Sequence, residues 1–208
     1  MSTRSDPNKL YLHEPTKKRG KSGVRYLLVD AEKSSDDEEK KSFKFYTVPK
    51  SVCPFGHVSF KYEDKSLGIL VEDDNEAMND LFKKIDERVV DHMVINSKAI
   101  FGKAIKKKKA EKMLIPTIKT NKDYPSHVKF KLTRKTKICL VDGDEVKKGT
   151  IEDIKSTKGK KFVVKGTIGC VYIQGDNQFG VSLKALKVAV FEDEESESDS
   201  GSGSEAPR

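Results

Sequence analysis

Apolar and polar residues alternate in short runs over both halves of the chain, and one stretch between them has helical spacing. The runs Val24–Val29, Phe43–Val48 and Leu67–Val71 are strand-like in their apolar and β-branched content, and His57–Tyr62 alternates apolar and polar as a half-buried strand does. Between Asp74 and Asn96 the apolar positions recur every three or four residues: Ala77, Met78, Leu81, Phe82, Ile85, Val89, His92 and Met93. That spacing predicts one amphipathic helix, capped by Asp74 or Asn75. Its apolar stripe reads as core packing. Lys106–Lys109 follows in a predicted loop, and Pro116 ends a short apolar run. The last third reads as strands again, over His127–Leu132, Lys137–Val141, Phe162–Lys165, Thr167–Gln174 and Phe179–Val190. Asp142-Gly143 and Gly175-Asp176-Asn177 supply hairpin turns.

Strands outnumber helices, and no repeat of solenoid type appears. The predicted fold is mainly β, an OB-fold-like antiparallel barrel with one inserted amphipathic helix and disordered termini. Residues 1–22 read as a flexible arm with a basic cluster at Lys17, Lys18, Arg19 and Lys21. Residues 23–191 form the domain, interrupted by an exposed charged loop over 32–41. Residues 192–208 are Glu, Ser, Asp and Gly with almost nothing to bury, and read as a disordered acidic tail.

Charge sharpens this division. The chain has 208 residues and a formal net charge of +8. From Glu192 to Arg208 it carries seven acids and one base, which leaves 40 bases against 26 acids on the first 191 residues. A basic body attracts polyanions, of which nucleic acid is the commonest. An acidic tail can compete for the same surface or recruit a basic partner. Ser35 and Ser196 each have an acid three residues on, so phosphorylation could deepen either negative run.

No window approaches the apolar length of a membrane span, and the N-terminus has no apolar signal core, so neither membrane nor secretion is expected. Cys53, Cys139 and Cys170 stand far apart in apolar stretches, which suits reduced, buried thiols in a reducing compartment. Gly20-Lys21-Ser22 resembles the end of a phosphate-binding loop, but Pro15 stands where the first glycine belongs and no apolar strand precedes it. His13, His57, His92 and His127 are scattered, and Asp142 with Asp144 is a solvated turn. No nucleophile elbow or paired acid and base appears. The expectation is a binding protein, not an enzyme, with no catalytic residues, no metal and no cofactor.

The strands interleave rings with cations. Period two puts Phe43 and Phe45 on one face and Lys44 and Tyr46 on the other, and Lys129 and Lys131 on a face without Phe130. Unpaired nucleic acid wants cations for phosphates and flat rings for bases. The candidate phosphate contacts are Lys129, Lys131, Arg134, Lys135, Lys137, Lys160, Lys161, Lys165 and Lys184. The candidate stacking rings are Tyr46, Tyr62, Tyr172 and Phe179, the tyrosines favoured because a hydroxyl tolerates a wet surface.

Lys158-Gly159-Lys160, Val163-Val164-Lys165, Gly169–Gln174 and Phe179-Gly180-Val181-Ser182-Leu183-Lys184 together resemble the C-terminal region of single-stranded DNA-binding proteins of nucleocytoplasmic large DNA viruses. The resemblance covers roughly residues 40–191, with the last thirty or so distinctive. It implies an OB fold with an acidic C-terminal extension, comparable in layout to phage replication proteins. The implied role is sequence-tolerant binding of single-stranded DNA in viral replication, recombination or repair, with replication proteins met through the tail. The implied place is the host cytoplasm, in a viral factory, or the nucleus. The chain departs from the phage pattern where its tail ends Ala206-Pro207-Arg208 instead of in an aromatic residue, and it has no Trp to stack. The rival readings are a basic virion core protein that packages duplex DNA, and a non-enzymatic adaptor for acidic partners. A pure condenser would need few rings among its bases.

Overall fold

The structure is a computed structural model and describes residues 10–12, 25–27, 29–31, 44–47, 51–52, 57–59, 65–70, 75–154, 160–175 and 177–191. The basic arm's Lys17–Lys21, the charged loop 32–41, Cys53, Tyr62, the Lys158-Gly159 turn and the tail 192–208 lie outside the described residues.

The strands are β1 (Leu10–Leu12), β2 (Arg25–Leu27), β3 (Val29–Ala31), β4 (Phe45–Tyr46), β5 (Ser51–Val52), β6 (His57–Ser59) and β7 (Lys65–Leu70). Three helices follow: α1 (Glu76–Ile95), α2 (Ser97–Phe101) and α3 (Lys107–Met113). Then come β8 (Leu114–Ile115), β9 (Lys119–Asn121), β10 (Tyr124–Lys131), β11 (Lys137–Asp142), β12 (Glu145–Gly149), β13 (Lys161–Gln174) and β14 (Gln178–Phe191). The β-rich fold with an inserted helix is as the sequence predicts.

The main sheet is organised by the β13–β14 hairpin, whose strands run antiparallel from Lys161↔Phe191 to Gln174↔Gln178. Gly175 and Asn177 take positive φ in its turn, at 49° and 69°. These are left-handed conformations that Gly and Asn adopt at least cost. On one side β13 pairs with β2, β4 and β5, all antiparallel. On the other side β14 receives β8, β10 and β11, all parallel. From β10 the sheet continues through β7 to β6, and β5 returns to touch β7, which curls it toward a barrel. The sheet is therefore mixed. The parallel pairs β10–β14 and β11–β14 join strands separated in the chain by β12 and β13, a connection long enough to allow parallel entry.

Helix α1 is capped by Asn75, whose side chain accepts from Met78 N at 3.2 Å. It buries Met78, Leu81, Phe82, Ile85, Val89, Val90 and Met93, while Ala77 is exposed and His92 half-exposed. The lysine run 106–109, expected in a loop, instead begins α3. Two contacts hold it there: Ala110 is buried, and Lys107 pairs with Asp91 of α1 at 2.7 Å. Lysine is also a good helix former when its charge faces water.

The core sits between α1 and the inner face of the sheet. Phe45 meets Phe82 edge-on at 5.6 Å and Phe130 at 6.0 Å. Both sheet rings close over Gly166. A Cβ there would stand 2.7 Å from Phe130 Cε1 and 2.8 Å from Phe45 Cζ. Gly166→Ala is therefore expected to destabilise the fold by about 1–3 kcal/mol through overpacking. The readout is the midpoint of urea unfolding. An unchanged midpoint would show that the rings do not close on this backbone.

Candidate nucleic-acid interface

Two stretches of the chain are almost free of acid. Between His127 and Val141 there are five bases and no acidic residue, and between Lys160 and Phe191 five bases with Asp176 alone. The sheet brings these stretches together, because β10 and β11 lie in succession along the same edge of β14.

On β13 the inward residues are Phe162, Val164, Gly166, Ile168, Val171 and Ile173. Lys161, Val163, Lys165, Thr167, Cys170 and Tyr172 point outward. Register then builds rows across this outer face. Lys137 stands beside Lys187, Lys187 beside Lys165, and Lys165 beside Tyr46. The next row joins Lys131, Lys184 and Thr167. Lys129 lies two residues further along β10. Arg134 and Lys135 sit exposed at the turn between β10 and β11. That turn is fixed by Thr133 N donating to Thr136 Oγ1 at 2.9 Å and by Thr136 Oγ1 donating to the Ala185 carbonyl at 2.8 Å.

Two irregularities keep the rows on one face. Lys184 and Lys187 are an odd number of residues apart, so strict alternation would place them on opposite faces. The pairing shifts between Lys165↔Lys187 and Gly166↔Ala185, leaving Leu186 as an extra residue. A second shift falls between Ile168 and Cys170. There Gly169 is the extra residue, and a Cβ on it would stand 2.7 Å from Lys184 Cε. The Lys184 stem thus runs across a backbone made bare by glycine.

Beyond the second row the face turns partly apolar. Cys170 stands opposite Ser182. Its thiol is pushed up by burial, with Lys184, a Ser182 hydrogen bond and Lys131 pulling the other way. Cys139 and Cys170 are free and half-exposed, not buried as expected. Tyr172 lies over Gly180, whose Cβ would come 2.6 Å from the phenol oxygen and 3.2 Å from Ile115 Cβ. Burial raises the Tyr172 hydroxyl above its ordinary value, helped by Cys170 and Asp86. Asp86, on α1, accepts from Thr117 N at 2.9 Å and from Thr117 Oγ1 at 2.6 Å. Lys119 donates to the Pro116 carbonyl at 2.6 Å. Burial lowers its ammonium, Asp86 raises it and Lys129 lowers it further.

The structure thus brings Lys129, Lys131, Lys137, Lys161, Lys165, Lys184, Tyr46 and Tyr172 onto one face, with Arg134 and Lys135 at its rim. Lys160 precedes β13 and is half-buried. Phe179 is a correction: it is fully buried in the core and has no face open to a base. Its alternation with exposed Gln178 points it inward. Lys187, Lys119 and Cys170 belong to the face and were missed. For Lys187 the missing signal is the bulge at Leu186, which no period in the sequence marks.

Among the described residues no group of three His, Cys, Asp or Glu side chains could hold a metal. None of their helices is long and apolar enough to cross a membrane.

No family model matches the chain, and no curated protein does. Among solved structures, the single-stranded DNA-binding protein from bacteriophage Enc34 is similar at 15% identity and a TM-score of 0.47, over 89% of this chain and 90% of that one. The same phage protein in complex with ssDNA gives 15% identity and a TM-score of 0.38, over 90% of this chain and 98% of that one. The gp2.5 single-stranded DNA-binding protein encoded by bacteriophage T7 gives 18% identity and a TM-score of 0.45, over 72% and 91%. At these identities and scores nothing below rests on the likeness.

Asp86 gives the site a pH signature. Its carboxyl lies above the ordinary range, chiefly through burial, with the Thr117 bonds and Lys119 opposing. Folding then favours the protonated acid. That contribution is complete below the unfolded pKa and is lost as pH rises through the folded one. Wild type should therefore lose stability relative to Asp86→Asn as pH climbs from about 3 toward neutral. Urea unfolding of both proteins across that range checks it. A pH-independent difference would show that the carboxyl is not desolvated.

Proposed function

We propose that this chain binds single-stranded DNA without strong sequence preference, along the outer face of β13, β14, β10 and β11. The observation that carries the reading is lysine set directly against lysine. Lys187 stands between Lys137 and Lys165. Like charges directly opposite on a sheet are destabilising. A fold that keeps them breaks a local rule, and such breaks mark sites. A phosphate backbone relieves the repulsion.

Two features favour an unpaired strand over a duplex. The cations follow a strip of one sheet face, and from Lys161 to Tyr172 this measures roughly 35 Å. The strip ends at a half-buried ring, which is of use only to a base that is not paired.

The reading extends to the whole chain. Residues 23–191 form the binding unit, and the basic arm adds loose contact. The acidic tail starts after Phe191, whose backbone registers with Lys161, so it begins at one end of the cationic strip and can compete for it or meet replication proteins. Viral replication, recombination or repair is the proposed setting, in a host-cell viral factory or nucleus. The chain would act by occupying DNA, not by chemistry upon it.

A fluorescence-anisotropy titration against matched single- and double-stranded DNA tests this. Log affinity for the single strand should fall with log salt by about 0.7 per phosphate neutralised, a slope near 4 if six cations engage. Lys131→Gln and Lys184→Gln should each flatten that slope by one contact. A flat response, or equal affinity for duplex, overturns the reading, the second in favour of duplex packaging.

Stacking is tested separately. Tyr172→Ala should weaken single-strand binding by roughly 1–3 kcal/mol if the ring carries a base. Its thermal midpoint must stay near wild type. A mutant that folds and binds normally removes Tyr172 from the site.

A further inference from the structure

Tyr46 was expected as a stacking ring, and it stands beside a lysine of the neighbouring strand. Its backbone registers directly with Lys165, and the Lys165 ammonium lies over the ring, 5.1 Å from its centroid. We infer that Tyr46 is a positioning residue, whose ring seats Lys165 for a phosphate instead of carrying a base. This inference rests on the strand-binding reading of the same face.

The ring is held on both sides. Phe45 before it is fully buried against Phe82 and Phe130. Thr47 after it is fully buried and bonded twice to Val164: its N–H donates to the Val164 carbonyl at 2.9 Å, and its Oγ1 accepts from Val164 N at 2.8 Å. The backbone at 46 therefore cannot swing out to meet a ligand. On the face toward β13, the Lys165 ammonium already stands over the ring.

Lys165 needs such a seat. It stands directly across from Lys187, which itself stands beside Lys137. Repulsion along this row drives each long stem away from the others, and an unheld lysine would scatter over many rotamers. The negative face of an aromatic ring fixes one of them. Held there, Lys165 presents its ammonium beside Lys187 with less entropy left to lose when a phosphate arrives. A base entering the same face would have to displace the cation first, so the ring serves the phosphate and not the base.

The test combines ring-current shifts with a double-mutant cycle. In the free protein the Lys165 Cε protons should be shifted upfield by the ring, a shift kept in Tyr46→Phe and lost in Tyr46→Leu. With an oligothymidylate, Tyr46→Leu should weaken binding roughly two- to fivefold, the size of an exposed cation–π contact, while Tyr46→Phe binds as wild type. On a Lys165→Gln background, Tyr46→Leu should add almost nothing. Its effect should be the same on an oligonucleotide lacking its central bases, and the Lys165 shift should persist in the complex.

Base stacking predicts the reverse on three readouts. Tyr46→Leu would keep its full effect without Lys165, lose it on the abasic strand, and the Lys165 shift would collapse when DNA binds. Any of these overturns the inference, as does a Tyr46→Leu protein that folds and binds as wild type. If wild type itself shows no salt-dependent binding, the strand-binding reading fails first and this falls with it. That result is distinct, because it appears before any variant is made.

Discussion

The packing of Phe45 and Phe130 over Gly166 is the constraint on which the sheet depends. It joins β4, β10 and β13, and brings α1 in through Phe82. Two rings can approach a strand backbone this closely only where no side chain intervenes. Gly166 also stands at a register shift, where the pairing changes from Lys165↔Lys187 to Gly166↔Ala185. The core contact and the irregularity on the outer face are thus one local event. Inward, the bare backbone admits aromatic packing. Outward, the extra residue at Leu186 returns Lys187 to the face of Lys184.

The second irregularity works the same way. Gly169 gives up a side chain, and the Lys184 stem crosses the space it leaves. Gly180 does likewise beneath Tyr172. Three glycines of one hairpin therefore lie under the side chains that matter: two core rings, one lysine and one phenol. Each gives up β-sheet propensity for close approach. The hairpin can bear this loss because it is long, central and paired on both sides.

The broad architecture was legible in the sequence because it follows from local periodicity. The α1 stripe, the β13 and β14 runs and the Gly175 turn all appear where their spacing puts them. Lys129, Lys131 and Lys184 were legible for the same reason, since each alternates with a buried neighbour. What was hidden depends on pairing. Lys187 reaches the face only through a bulge. The parallel entry of β10 and β11 beside β14 is a choice among edges that no single strand encodes. The α3 lysines became helical through Asp91 and Ala110, contacts from outside the segment. Phe179 failed as a stacking ring because an aromatic next to a turn reads alike whether it faces in or out. Only its register opposite Ile173, itself buried, decides the matter.

The lysine rows connect stability to function. Repulsion along Lys137–Lys187–Lys165 is a cost the folded state carries and the extended chain does not. It is modest, because Lys137 and Lys187 are exposed and salt screens them. It is also selective, because the core below does not need it: Phe130, Leu183, Ile168 and Val188 would pack as well beneath neutral residues. An anionic ligand that bridges the rows removes the repulsion and adds its own attraction, and it does so only in the folded state. Binding then stabilises the fold by mass action. On the proposed reading, the same charges that weaken the empty sheet would strengthen the occupied one.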